Sequence, residues 1–159
     1  VTGSRAHVEA FRTFASGDES PFDFGRFIPY PETYARRDRA RQVWEHAPGP
    51  KDWVRAPCDG YNSGGYEWCI ANWGTKWNAH QVQVGRLRHG SGSVKFTVAF
   101  ATAWTPPKPV VVRAAALFPD LDFSLRYFER GAGFCGTFRC APGTAPAERI
   151  RNYSGTKGG

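Results

Sequence analysis

The run Val94-Lys95-Phe96-Thr97-Val98-Ala99-Phe100-Ala101-Thr102 constrains the fold more than any other part of the chain. Val94, Phe96, Val98 and Phe100 alternate with Lys95, Thr97, Ala99 and Ala101, a period of two that belongs to a strand with one buried face. Such a strand needs hydrogen-bonding neighbours along its edges and a cover for its apolar face. The rest of the chain offers both. Leu121, Phe123, Leu125 and Tyr127 alternate with Asp122, Ser124 and Arg126, and a turn at Gly131 to Gly133 leads into a further strand over 134–140 with Phe134 and Phe138 on one face. Val82 and Val84 give a shorter strand, and His89-Gly90-Ser91-Gly92-Ser93 punctuates a turn within Arg88 to Ser93.

Helical signals lie between these strands. Ser4 can cap a helix over 4–15, in which Val8, Phe11, Phe14 and Ala15 form one stripe and Gly17 supplies the stop. Phe22, Phe24, Phe27 and Ile28 read as a strand ended by Pro29. Residues 32–47, with Tyr34, Ala35, Val43 and Trp44 among many arginines, read as a helix broken by Pro48-Gly49-Pro50. Residues 48–65 form an irregular connection, a short helix covers Glu67 to Trp73 before Gly74, and Val110, Ala114, Leu117 and Phe118 mark a helix ending at Pro119-Asp120. This order gives an α+β domain with helices on one face of a mainly antiparallel sheet, for which a ferredoxin-like split βαβ arrangement fits best.

That arrangement opens with a strand, and only Val1-Thr2-Gly3 precede the first helix, so the opening strand is expected to be absent. Its place is expected to be filled either by the run from Val82 to Arg88 or by a strand of a second copy, which would make a homodimer. Residues 1–141 read as a single domain and 142–159, poor in apolar residues, as a flexible tail.

Composition excludes several classes. A length of 159 residues with 41% apolar and 15% aromatic content suits one packed core. No basic stretch leads into an apolar run at the amino terminus and nowhere do eighteen apolar residues follow one another, so the expectation is a cytoplasmic protein without a membrane partner. The absence of methionine implies a processed or alternative start, or the loss of a leader. The formal charge of +7 permits an acidic partner, although the arginine bias is equally explained by a GC-rich genome. Cys58, Cys69, Cys135 and Cys140 match neither paired metal knuckles nor a secreted disulfide framework, so no metal or cofactor is expected.

Tyr66 to Ala79 concentrates Trp68, Trp73 and Trp77 with Asn72, Asn78, Lys76 and Gly74 in fourteen residues. Two readings stand. In one, Trp73, Trp77 and Trp104 wall a pocket in which Asn72, Lys76 and Asn78 take a polar or anionic ligand. In the other, the tryptophans are core pillars and the asparagines lock backbone. Arg36, Arg37, Arg39 and Arg41 offer an alternative, a helical basic face for nucleic acid, diluted by Asp38 and Glu45. For catalysis, Asp59, Glu67, His80, Cys58 and Cys69 are the available groups, but no paired-carboxylate, HExxH, GxSxG or Walker pattern organises them.

Gly65 to Ala79, Phe24-Gly25-Arg26-Phe27-Ile28-Pro29-Tyr30-Pro31-Glu32, Thr102 to Val110 and Phe118-Pro119-Asp120-Leu121 together resemble the YubB ferredoxin-like family over about residues 4 to 140. The resemblance implies a ferredoxin-like fold and a setting on plasmids, phages and other mobile elements. It carries over no activity and no catalytic residues. Members of that family usually begin with a further strand bearing an Asn-Trp-Cys motif, which this chain lacks. The combined reading is a mobile-element accessory protein that binds an unidentified ligand or protein, with nucleic-acid binding or a small enzyme acting on an anionic ligand as the alternatives.

Overall fold

The computed structural model describes residues 1–129, 131 and 133–152. The chain runs through β1 (Thr2–Gly3), α1 (Arg5–Ala15), α2 (Glu32–His46), α3 (Gly65–Trp73), β2 (His80–Val84), β3 (Arg88–His89), β4 (Val94–Lys95), β5 (Val98–Ala101), α4 (Lys108–Leu117), β6 (Phe123–Glu129), β7 (Phe134–Cys140) and β8 (Ala147–Asn152). All strand pairs are antiparallel, in ladders β3–β4–β1, β2–β5 and β6–β7–β8. A bridge between Thr2 and Asp122 joins the first ladder to the third, and the continuous chain of β4 and β5 joins the first to the second. The strand order through the centre is therefore β6, β1, β4/β5, β2, that of the ferredoxin-like α+β arrangement expected.

The opening position is not empty. Val1 and Phe96 exchange backbone hydrogen bonds at 2.9 Å, and Thr2 and Asp122 do the same at 2.9 Å. Two residues thus hold the central position at one end of the sheet. The run from Val82 to Arg88 does not move into it: β2 pairs along the opposite edge of β5, and β3 along the opposite edge of β4.

The core explains why α1 and α4 share a face. Ser4 caps α1 by accepting from the His7 N–H, and the stripe Val8, Phe11 and Ala15 is buried. The Phe11 ring meets Phe123 at 5.3 Å, Phe118 at 5.4 Å and Phe96 at 6.4 Å, so one aromatic side chain ties both helices to strands on either side of β1. Val110 and Ala114 of α4 complete this layer with Val94 and Leu121. The inward and outward alternation read from the sequence holds residue by residue over 94–100 and 121–127.

Three expectations change. Phe22 to Ile28 is not a strand: Asp23 accepts the Gly25 N–H at 2.8 Å, turning Phe24–Arg26 into a short 3-10 turn that sends Phe22, Phe24 and Phe27 into the core. The strand over 94–102 breaks into β4 and β5 because its partners change there. Residues 147–152, placed in the tail by the sequence, form β8 on the free edge of β7, while 153–159 lie outside the described residues. The helix α2 carries no buried residue. Asp38 connects it inward, accepting from the Gly60 N–H at 2.8 Å, the Tyr61 N–H at 2.9 Å and the Tyr30 hydroxyl at 3.2 Å. Beneath it Gly60 and Gly65 leave no room for a Cβ, which would lie 2.1 Å from the Tyr34 carbonyl oxygen and 2.0 Å from the Tyr30 hydroxyl respectively. Among the described residues no helix is long and apolar enough to cross a membrane.

Candidate functional site

The tryptophan-rich segment divides into structural and exposed parts. Trp73, 4% exposed at the end of α3, donates its indole N–H to the Ile28 carbonyl at 2.8 Å and packs against Phe24, Tyr30 and Trp68. It is a core residue. The Asn72 amide donates to the Trp68 carbonyl of its own helix at 2.9 Å. Asn78 accepts from the N–H groups of Phe24 (2.9 Å) and Ala79 (2.8 Å) and donates to Asp23 at 2.6 Å, pinning the 3-10 turn to the start of β2. Three of the six proposed ligand residues therefore hold the fold together.

Lys76 and Trp104 come together at the surface. Gly74 ends α3 at φ +77, a left-handed position where an added Cβ would also lie 2.8 Å from the Pro109 ring. Thr75, 1% exposed, donates its hydroxyl to the Ala103 carbonyl at 3.0 Å and accepts the Ala103 N–H at 3.1 Å. Thr105 reaches back, its hydroxyl donating to the Gly74 carbonyl at 2.5 Å. These two threonines cross-stitch the α3 exit to the loop after β5, and each projects a neighbour outward: Lys76 from one side, Trp104 from the other.

Trp104 is 69% exposed and sits at φ +66, where a bulky side chain is uncommon. The Thr105 N–H bonds the Ala103 carbonyl at 2.8 Å, closing a three-residue turn around it. A γ-turn of this sign is strained, by about 1–3 kcal/mol. The Lys76 ammonium stands 2.9 Å from the centre of the Trp104 ring and 5.7 Å from that of Tyr66. The result is a cation on an exposed aromatic face, held on a rigid stage. Trp77, also exposed, stands apart with His80 at 6.3 Å. Tyr66 and Thr75 are not legible as partners of Trp104, since nothing in local spacing links them to it, and the role of Thr105 depends on its bond to Gly74 across the fold.

The basic face of α2 is divided as well. Arg39 pairs with Glu32, and Arg41 bonds Glu45 at 2.6 Å and the Pro57 carbonyl at 3.1 Å while lying over Trp44 and Trp53. Arg36 and Arg37 are exposed and form no ion pair among the described residues. The groups weighed for catalysis do not converge. Asp59 is occupied by Asn62, whose bonds hold its carboxyl below the usual range, and burial, then Asp38, pushes the Cys69 thiol up to about 11. All four cysteines are free thiols, and the unbroken β6–β7 register puts Cys135 and Cys140 on opposite faces of β7.

No curated protein and no solved structure matches the chain. Residues 72–153 match a family described as the ferredoxin-like domain in Api92-like protein, a stretch that takes in Lys76, Trp104, α4 and every strand from β2 to β8. Its extent and the strand order around β1 agree, and the chain belongs to that ferredoxin-like family.

Proposed function

We propose that this protein is a non-catalytic binding module that takes a polar, anionic ligand on the surface formed by Lys76, Trp104 and Tyr66. The observation that carries the reading is the Lys76 ammonium on the exposed face of a tryptophan held in a strained backbone turn. Strain of this kind persists where the surroundings over-determine it, as at ligand clamps. A ring offers stacking to any flat group, and the ammonium offers three donors to an anion. The similarity of the 24–32, 65–79, 102–110 and 118–121 segments to the YubB family supports a setting on a mobile genetic element. Four free thiols support a reducing cytoplasm.

Tryptophan emission during titration with a nucleoside monophosphate, and separately with a single-stranded oligonucleotide over a salt series, tests this. Binding is expected to weaken in both Lys76→Met and Trp104→Ala, by about tenfold or more in the latter. If both variants bind like the parent while Arg36→Ala and Arg37→Ala lose the oligonucleotide, the α2 face is the site and the Lys76 reading fails.

A further inference from the structure

The ladder β6–β7–β8 sorts its charges by face. Its register puts Arg126, Thr137 and Arg149 in one cross-strand row and Ser124, Arg139 and Ala147 in the next, so the three arginines share a face. That face is the outer one, since Phe123 and Phe138, of opposite parity, are buried in the core. Arg151 follows on the same side of β8, and all four arginines are exposed. The carboxylate of β8 goes the other way: Glu148 stands opposite Phe138 and accepts from Lys108 of α4 at 2.7 Å. Asp122, just before β6, is already engaged, accepting from Arg139 Nε at 2.9 Å and again from its Nη2. Among the described residues Arg126, Arg149 and Arg151 form no ion pair.

Strand spacing sets Arg126 and Arg149 about 10 Å apart across Thr137, and Arg151 about 7 Å from Arg149 along β8. Arg139 lies on the diagonal to Arg149, about 7–8 Å away. Like charges at these spacings repel, and no residue of β8 is buried to offset the cost. The fold gains nothing from them there.

A partner that satisfies this face carries anionic charge repeating every few ångströms in two directions. A bilayer is held by apolar side chains inserted beside basic ones. Here the residue between Arg126 and Arg149 is Thr137, with Ser124 in the next row, and hydroxyls of this kind join arginine in bonding the phosphate oxygens of nucleic acid. A duplex carries one charge per about 1.7 Å of its axis, so guanidiniums fixed about 7–10 Å apart on a sheet each meet a phosphate. The planar fork of arginine suits bidentate phosphate contact.

We propose that the outer face of β6–β7–β8 is a nucleic-acid-binding surface that holds a duplex by its phosphate backbone. Arg126 and Arg149 are the principal contacts, Arg151 extends them, and Arg139 is shared with Asp122. The surface is built on other elements than the Lys76–Trp104 surface, and a duplex keeps its base faces stacked inside, away from an exposed ring. Either assignment can fail without the other.

The probe is a labelled duplex of about twenty base pairs and arbitrary sequence, followed by anisotropy from about 50 to about 200 mM salt. Saturable binding is expected, with log K falling against log salt at a slope of about −3, for three to four phosphates neutralised. Arg126→Gln and Arg149→Gln are each expected to weaken binding about five- to tenfold at the lower salt and to reduce the slope by about 1. Their urea midpoints should stay at or above that of the parent, because repulsion and no bond is removed; a lowered midpoint that accounts for the lost binding would make the arginines structural and overturn the proposal. Arg113→Gln, exposed on α4, removes the same net charge and is expected to leave the slope unchanged. An equal loss in that variant would mean that net charge alone attracts the duplex, which overturns the proposal, as does an absence of binding at about 100 μM protein in the lower salt. If the double variant Arg126→Gln/Arg149→Gln binds duplex like the parent the proposal fails, and loss of phosphatidylserine vesicles in that variant would make anionic lipid the ligand instead.

Discussion

Replacing Thr75 by valine keeps nearly the same shape and removes one hydroxyl, which makes it the cleanest probe of the threonine stitch. In the parent that hydroxyl makes both bonds to Ala103, a residue only 6% exposed. Without it the Ala103 N–H is buried with no partner, at a cost of about 1–3 kcal/mol. The lost partner of the Ala103 carbonyl adds less, because under-satisfied carbonyls are better tolerated than orphaned N–H groups. The expected destabilisation of Thr75→Val is therefore about 2–3 kcal/mol, or roughly 5–10 °C in Tm for a domain of this size. Thr75→Ser keeps both bonds and loses one methyl group, about 1 kcal/mol. Urea titration followed by circular dichroism measures both. If serine costs as much as valine, packing and not the hydroxyl holds the loop, and the account of how Trp104 is staged is wrong.

Trp104→Gly deletes an exposed indole yet relieves a left-handed position, so it is expected to leave stability within about 1 kcal/mol of the parent; a loss of about 3 kcal/mol or more on urea titration would show the ring to be a packing pillar. Glu148 accepts from Lys108 Nζ at 2.7 Å and from the Tyr127 hydroxyl, in that order the causes that hold its carboxyl below the usual 4.5. Its contribution is complete above pH 4.5 and disappears as pH falls through the lower folded value, so Glu148→Gln is expected to flatten the acid limb of a stability–pH curve. Alkylation followed by mass spectrometry should label exposed Cys58 first, with buried Cys69 and Cys140 reacting only on unfolding; early labelling of Cys69 would contradict its burial.

The elements legible in the sequence are those whose own residues carry a period. β7 over 134–140 and α1, with Ser4 as its cap, follow the reading to within a residue, because their apolar faces are written in local spacing. β8 carries no such signal: Ala147, Glu148, Arg149, Ile150, Arg151 and Asn152 are all exposed, and the strand exists because β7 offers a free edge. Phe22 to Ile28 misleads for the opposite reason. Its phenylalanines do enter the core, but Asp23 and Asn78 take the N–H groups of Gly25 and Phe24, and the segment turns. Within the site, Lys76 and Trp104 were named from separated segments and do meet. Trp73 and Asn78 answer to the packing reading instead. The hydroxyl of Thr75 looks like that of any threonine until burial is known.

The energetics of Lys76 and Trp104 differ, and that difference decides how a ligand can use them. A cation over an exposed ring is worth about 0.5–1 kcal/mol, so lifting Lys76 away to meet an anion reduces affinity by no more than about fivefold. Trp104 cannot move so cheaply, because the turn at Ala103 to Thr105 is tied to Gly74 and Thr75 by three side-chain bonds. The ring is fixed before a ligand arrives and the ammonium is not. Pre-organisation avoids the ordering cost of binding, so the ring should carry the larger share of affinity for any flat ligand. In the titrations proposed above, Trp104→Ala is therefore expected to weaken binding more than Lys76→Met does. Raising salt should erase much of the Lys76 effect while leaving that of Trp104. Equal and equally salt-sensitive losses in the two variants would mean that the ligand recognises charge alone, and that the strained turn around Trp104 has some other cause.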